Sequence, residues 1–206
     1  MEIVKIADVG VDTAAAQAAG VIAQGGIIVY PTDTLYGIGV NALNADALAR
    51  MYELKGREKN KPSSILVPSV DAIAQYAVLS PQARAMAEKH LPGALTLVLP
   101  ALENVPPELV LDGGVAVRVP DDSFALTLAM MSEFPITATS ANLAGEPTGA
   151  TIPDIMRQFG EKTIGVDLLI DGGAKDAGTP STVVSFTGDV PQVLREGAIP
   201  KEELGL

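Results

Sequence analysis

Apolar residues fall in short blocks along the chain, and their spacing changes repeatedly between the helical and the extended period. Asp12 to Gln24 carries alanine-rich faces and runs into Gly25-Gly26, the pattern of a helix closed by glycine. Ile27-Ile28-Val29-Tyr30 follows as a buried strand halted by Pro31. Asn44 or Asp46 can cap a helix reaching about Leu54, and Ser64 to Val67 reads as another apolar strand. Helices are predicted near Val70 to Tyr76 and, with Pro81 in the first turn after Ser80, over Pro81 to Lys89. Ala94 to Leu99 and Val115 to Val119 are predicted strands separated by the proline-rich Ala101 to Glu108, with a helix from about Phe124 to Met131 beyond. Strands at Ile136 to Thr139, Leu168 to Ile170, Thr182 to Phe186 and Val193 to Leu194, and a helix between Pro153 and Phe159, complete the pattern. Helix-linked strands can be parallel and tightly turned ones are antiparallel, so this interleaving implies an α/β core with a mixed sheet. Residues 1–206 are expected to form a single domain, with Asp171 to Pro180 as a Gly-rich loop inside it.

Composition narrows the chemistry. The 206 residues are 48% hydrophobic, enough for one substantial core. With no cysteine, thiol nucleophiles, disulfides and thiolate metal sites are excluded. The single histidine, His90, ends a helical pattern before Leu91-Pro92-Gly93, which favours a structural role at a helix end and excludes a His-rich metal centre. Lys plus Arg number 14 against 25 Asp plus Glu, and the net charge of -11 argues against stable docking on DNA or an anionic membrane. No basic leader with an apolar core opens the sequence, and no apolar run is long enough to cross a bilayer, so the expected compartment is the cytoplasm.

Against that acidic background, Lys55-Gly56-Arg57-Glu58-Lys59-Asn60-Lys61-Pro62 concentrates four cations after a helix. Such a cluster can be a solvated loop or a short-range clamp on a small anion, with Arg57 gripping in a fixed orientation and Lys55 and Lys61 as mobile point charges. Pro31 to Gly39 places Thr32, Asp33 and Thr34 at a strand end, a common binding position, where Gly37 and Gly39 permit a close or left-handed backbone path. The same hydroxyls and carboxylate can also merely satisfy a turn. Arg118 interrupts the apolar run Val115-Ala116-Val117-Arg118-Val119 and lies opposite the face of Val117 and Val119, pointing either to solvent or into an anion pocket. Ser140 and Asn142, two apart at another strand end, offer a hydroxyl and an amide, with no second histidine to make Ser140 a nucleophile. Ser181 opens a late strand and Arg195 closes the last one. No Walker A motif or spaced dinucleotide fingerprint is present.

The runs Tyr30-Pro-Thr-Asp-Thr-Leu-Tyr-Gly-Ile-Gly39, Lys55-Gly-Arg57, Lys61-Pro62, Pro92-Gly-Ala-Leu-Thr-Leu-Val98, Val115-Ala-Val-Arg-Val-Pro120, Ala138-Thr-Ser-Ala-Asn-Leu-Ala-Gly145, Ser181-Thr-Val-Val184 and Leu194-Arg195 together resemble the YrdC-like threonylcarbamoyl-AMP synthase family, over nearly the whole chain. The resemblance implies a twisted open mixed sheet with flanking helices and a large concave cavity. It also implies an enzyme, L-threonylcarbamoyladenylate synthase, that joins ATP, L-threonine and bicarbonate into threonylcarbamoyl-AMP and pyrophosphate for modification of adenosine 37 in ANN-decoding tRNAs. By that resemblance, Thr34, Arg118 and Ser181 hold threonine, while Lys55, Arg57, Lys61, Ser140, Asn142 and Arg195 hold the nucleotide, with Lys55 and Arg57 closest to the chemistry. Lys61 stands where many family members carry asparagine, and Leu66 ends a segment that some end with a histidine. Mg2+ would accompany ATP, its ligands unassigned. Because the chain resembles the compact branch, the product would pass to separate tRNA-modification proteins and tRNA contact would be weak or transient. The alternatives are a non-catalytic nucleotide or structured-RNA binding module of the same superfamily, and the carbamoyl-transfer domain of a hydrogenase-maturation enzyme, whose zinc-binding region the cysteine-free sequence lacks.

Overall fold

The computed structural model describes residues 2–56, 62–175 and 179–206. The first half runs β1 (Glu2–Lys5), α1 (Ile6–Val9), α2 (Val11–Ala23), β2 (Ile28–Pro31), β3 (Tyr36–Gly39), α3 (Ala45–Lys55), β4 (Ser64–Leu66), α4 (Pro81–His90) and β5 (Leu95–Pro100). The second runs β6 (Val110–Leu111), β7 (Gly114–Arg118), α5 (Ser123–Met131), β8 (Ile136–Ser140), α6 (Ile152–Phe159), β9 (Leu168–Asp171), β10 (Thr182–Ser185), β11 (Gln192–Arg195) and α7 (Lys201–Leu204).

Helix starts follow local chemistry. Side-chain oxygens of Asn44, Ser80, Asp122 and Thr151 each accept backbone N–H groups in the first turns of α3, α4, α5 and α6. At the other end of α3, Gly56 takes the left-handed conformation at φ 60°. The segment expected as a helix near 70–76 is a shorter 3-10 turn, Asp71–Gln75.

All the described strands join one mixed sheet in the order β1-β9-β2-β3-β8-β4-β7-β5-β10-β11, with β6 paired to β7. The β1–β9, β9–β2, β4–β7 and β5–β10 pairs are parallel, and the remaining neighbours are antiparallel. Period-two alternation divides the strand residues between two cores. Ile27 and Val29 join one core with Met51 of α3, Ala87 of α4 and Ile155 of α6. Ile28 and Tyr30 join the other with Ala14, Ala15 and Ala18 of α2 and Phe124 and Leu128 of α5. The three alanines are wholly buried, so α2 lies close against its neighbours.

Three strands were not legible in the sequence, the shortest being the two-residue β6 beside β7. β1 is four residues long and mostly exposed, held as an edge strand beside β9. β3 returns against β2 as a hairpin, and of the close or left-handed path expected at its glycines the close one is taken. Gly37 and Gly39 are extended strand residues, and their use is spatial. A Cβ at Gly39 would stand 2.9 Å from the Tyr30 ring and 3.0 Å from Ile136. Among the described residues, no helix is long and apolar enough to cross a membrane.

Candidate active site

The β2–β3 turn is closed by Thr32. Its hydroxyl donates to the Leu35 carbonyl at 2.6 Å and accepts from the Thr34 and Leu35 amides at 3.2 Å. With that proton committed, Thr34 is the donor in the 3.2 Å contact between the two hydroxyls. This arrangement presents Asp33 and Thr34 to Arg118, the last residue of β7.

Arg118 is held at all three nitrogens. Nε donates to the Gly93 carbonyl at 3.0 Å, Nη1 to Thr34 Oγ1 at 3.3 Å and Nη2 to Asp33 Oδ2 at 2.6 Å. The Arg118 and Asp33 side chains are 8% and 16% exposed, so the pair sits largely out of water. Arg118 therefore does not point to solvent; a buried guanidinium needs such partners. Its register partner Leu66 pairs with Ile136 at the start of β8, whereas the turn leaves from the other end of β8, where Gly37 pairs with Ser140. The turn therefore reaches back along β8 to meet Arg118.

Ser181 and Arg195 form a second group. Arg195 donates from Nη2 to the Ser181 carbonyl at 2.8 Å and to its hydroxyl at 3.3 Å, and that hydroxyl lies 2.9 Å from Thr96 Oγ1. Burial, and secondarily the positive charge of Arg118, lowers the pKa of Arg195 from its ordinary value.

Lys55, Ser140 and Asn142 make the third group. Lys55 is 2% exposed, and its ammonium donates to the Asn142 carbonyl at 3.0 Å, to Asn142 Oδ1 at 3.4 Å and to the Ser140 carbonyl. Ser140 Oγ donates to Asn142 Oδ1, while Asn142 Nδ2 reaches the Leu143 and Glu146 carbonyls at 2.8 and 2.6 Å. Lys55 is therefore a buried brace of the loop after β8, in place of the mobile charge expected of it, because a buried ammonium must have acceptors. The Ala141 amide donates to the Tyr36 carbonyl at 2.8 Å, which ties this loop to the hairpin. Arg57 and Lys61 lie outside the described residues.

The sequence reading singled out Asp33 without pairing it to Arg118, and it missed the roles of Gly93 and Thr96. Thr96 had a signal, as a lone hydroxyl within the apolar run Leu95–Pro100. A cavity of about 520 Å³ is lined by Lys5, Pro31, Asp122, Asp171 and Lys175 among others, and by none of the residues of the three groups above. Among the described residues, no group of three or more His, Cys, Asp or Glu side chains is placed to hold a metal ion.

The Sua5/YciO/YrdC family profile, described as telomere recombination, matches residues 20–197. The chain belongs to this family. A threonylcarbamoyl-AMP synthase of Pyrococcus abyssi is 40% identical over 191 residues, covering 91% of this chain and 55% of that protein. The chain thus spans about half the length of that relative. A putative threonylcarbamoyl-AMP synthase of Methanocaldococcus jannaschii is 37% identical over 183 residues, covering 89% of this chain and 85% of the relative. The crystal structure of P. abyssi Sua5 complexed with L-threonine superposes with a TM-score of 0.87 at 37% identity, over 99% of this chain and 59% of that one. The mixed sheet with flanking helices is the family fold, as the alternation of strands and helices along the sequence implied.

Proposed function

We propose that this chain synthesises threonylcarbamoyl-AMP and pyrophosphate from L-threonine, bicarbonate and ATP, the activated group used for N6-threonylcarbamoylation of adenosine 37 in ANN-decoding tRNAs. One observation carries the reading: the buried Arg118 donates to Thr34 and Asp33, while Arg195 grips Ser181 through both its carbonyl and its hydroxyl. That grouping suits a substrate with a carboxylate and polar groups alongside an anionic nucleotide. The Sua5 relative complexed with L-threonine supports the choice of amino acid.

In this reading, Thr34, Arg118 and Ser181 hold threonine. Ser140, Asn142 and Arg195 hold the nucleotide, with Lys55 bracing their loop from within and Arg57 and Lys61 supplying further cations. The neutral amine of threonine attacks CO2 derived from bicarbonate and loses a proton to solvent. A carbamate oxygen then attacks the α-phosphorus of ATP, and the bond from that phosphorus to the bridging oxygen breaks as pyrophosphate leaves. The protein's contribution is placement of the two reactants and positive charge at the transferring group. Mg2+ enters as the MgATP complex. The product passes to separate tRNA-modification proteins in the cytoplasm, and a net charge of -11 keeps contact with tRNA transient.

Purified protein given MgATP, L-threonine and bicarbonate should release pyrophosphate and form a product with the mass of threonylcarbamoyl-AMP, each substrate being required. Folded protein that binds RNA yet releases no pyrophosphate at saturating substrates would replace this reading with a binding module.

A further inference from the structure

We propose that Asp33 is a specificity residue that makes the Arg118 subsite select an amine and a carboxylate carried together over a plain carboxylate. The proposal deepens the amino-acid reading of the site and rests on it.

A guanidinium has five N–H donors, one on Nε and two on each terminal nitrogen. Arg118 commits one from each nitrogen, to Gly93, Thr34 and Asp33, so one donor remains on each of Nη1 and Nη2. It can therefore accept a substrate carboxylate without releasing Asp33. Asp33 meets Arg118 through Oδ2 at 2.6 Å, and a carboxylate has more acceptor positions than one such contact uses. Its position is fixed by the Thr32-closed turn, which puts Thr34 on Arg118 at 3.3 Å as well. A ligand carboxylate on Arg118 thus brings its α-substituent near Asp33. A carboxylate accepts hydrogen bonds from an ammonium and from a neutral amine alike, so the contact survives the deprotonation that carbamate formation needs.

Charge gives the selectivity its sign. Arg118 and Asp33 together are neutral and largely removed from water, a setting that suits a zwitterion. Without the Asp33 charge, Arg118 becomes a largely buried, uncompensated cation, and the subsite turns towards simple anions. Whatever Asp33→Asn does to carboxylate affinity in general, it lowers the preference for the amine-bearing ligand.

The test is calorimetric titration of the full chain with L-threonine and with 3-hydroxybutyrate, which keeps the carboxylate, hydroxyl and carbon chain but lacks the amine. The wild type should prefer threonine by about tenfold or more, and Asp33→Asn should reduce that ratio by about tenfold while ATP affinity stays within about twofold. Asp33→Glu, which keeps the charge, should retain most of the preference. Asp33→Ser serves as the neutral variant if the asparagine variant does not fold. Parallel weakening of both ligands would reduce Asp33 to a structural role and overturn the proposal, as would a wild type that binds both ligands equally. A wild type that binds neither ligand would overturn the amino-acid reading itself, and the proposal with it.

Discussion

Lys55 and Asn142 meet through two bonds, from the buried ammonium to the Asn142 carbonyl at 3.0 Å and to its side-chain oxygen at 3.4 Å. Lys55 closes α3, and its ammonium also reaches the Ser140 carbonyl, so a helix end and the loop after β8 are bolted together by one cation. Lys55→Met leaves those carbonyls without their donor. It should lower stability by about 1–3 kcal/mol in urea denaturation. It should also raise the KM for ATP by about tenfold, with the KM for threonine less affected.

Arg118→Lys keeps the charge and loses the fork. A lysine ammonium cannot satisfy Gly93, Thr34 and Asp33 from three fixed directions and still receive a carboxylate. The KM for threonine should rise by about 10- to 100-fold, with that for ATP moving by less than about threefold; steady-state kinetics with each substrate varied in turn measures both.

Gly197 is where the chain turns back on Ser181. Its amide donates to Thr182 Oγ1 at 2.9 Å, and an added Cβ would stand 2.6 Å from the Ser181 carbonyl carbon and 2.7 Å from its oxygen. Gly197→Ala must displace Ser181, the residue that Arg195 grips. The variant should lose about 1–3 kcal/mol of stability and bind threonine more weakly, read by denaturation and calorimetry.

Tyr36 gives a pH signature. Its hydroxyl donates to the Gly173 carbonyl at 2.7 Å and accepts from the Gly172 amide at 3.0 Å. Burial, the dominant cause, pushes its pKa from 10.0 up to about 12. The folded state therefore holds this proton more tightly than the unfolded chain does. The stability it contributes is fully present below pH 10 and is lost as pH rises from there towards about 12. Tyr36→Phe should flatten the fall in stability across that window, measured by urea denaturation at successive pH values, while costing about 1–3 kcal/mol at neutral pH through the unpaired Gly172 and Gly173 groups.

Much of this molecule is local physics and can be read along the chain. Caps at Asn44 and Ser80 and the apolar periodicity beyond them determine where helices begin and which faces they bury. Period-two alternation in Val115, Val117 and Val119 determines that Arg118 faces the other way. Tertiary structure alone decided whom these side chains meet. Arg118 finds Asp33 from 85 residues away because the β2–β3 turn reaches back along β8, and Lys55 finds Asn142 from 87 because the end of α3 packs on the loop after β8. The same holds for Gly37 and Gly39. Their sequence leaves a close or a left-handed path open, and only the packed Tyr30 ring, which leaves no room for a Cβ at Gly39, shows that the close one is used. Pairing partners and free space are properties of the assembled fold, and no local propensity encodes them.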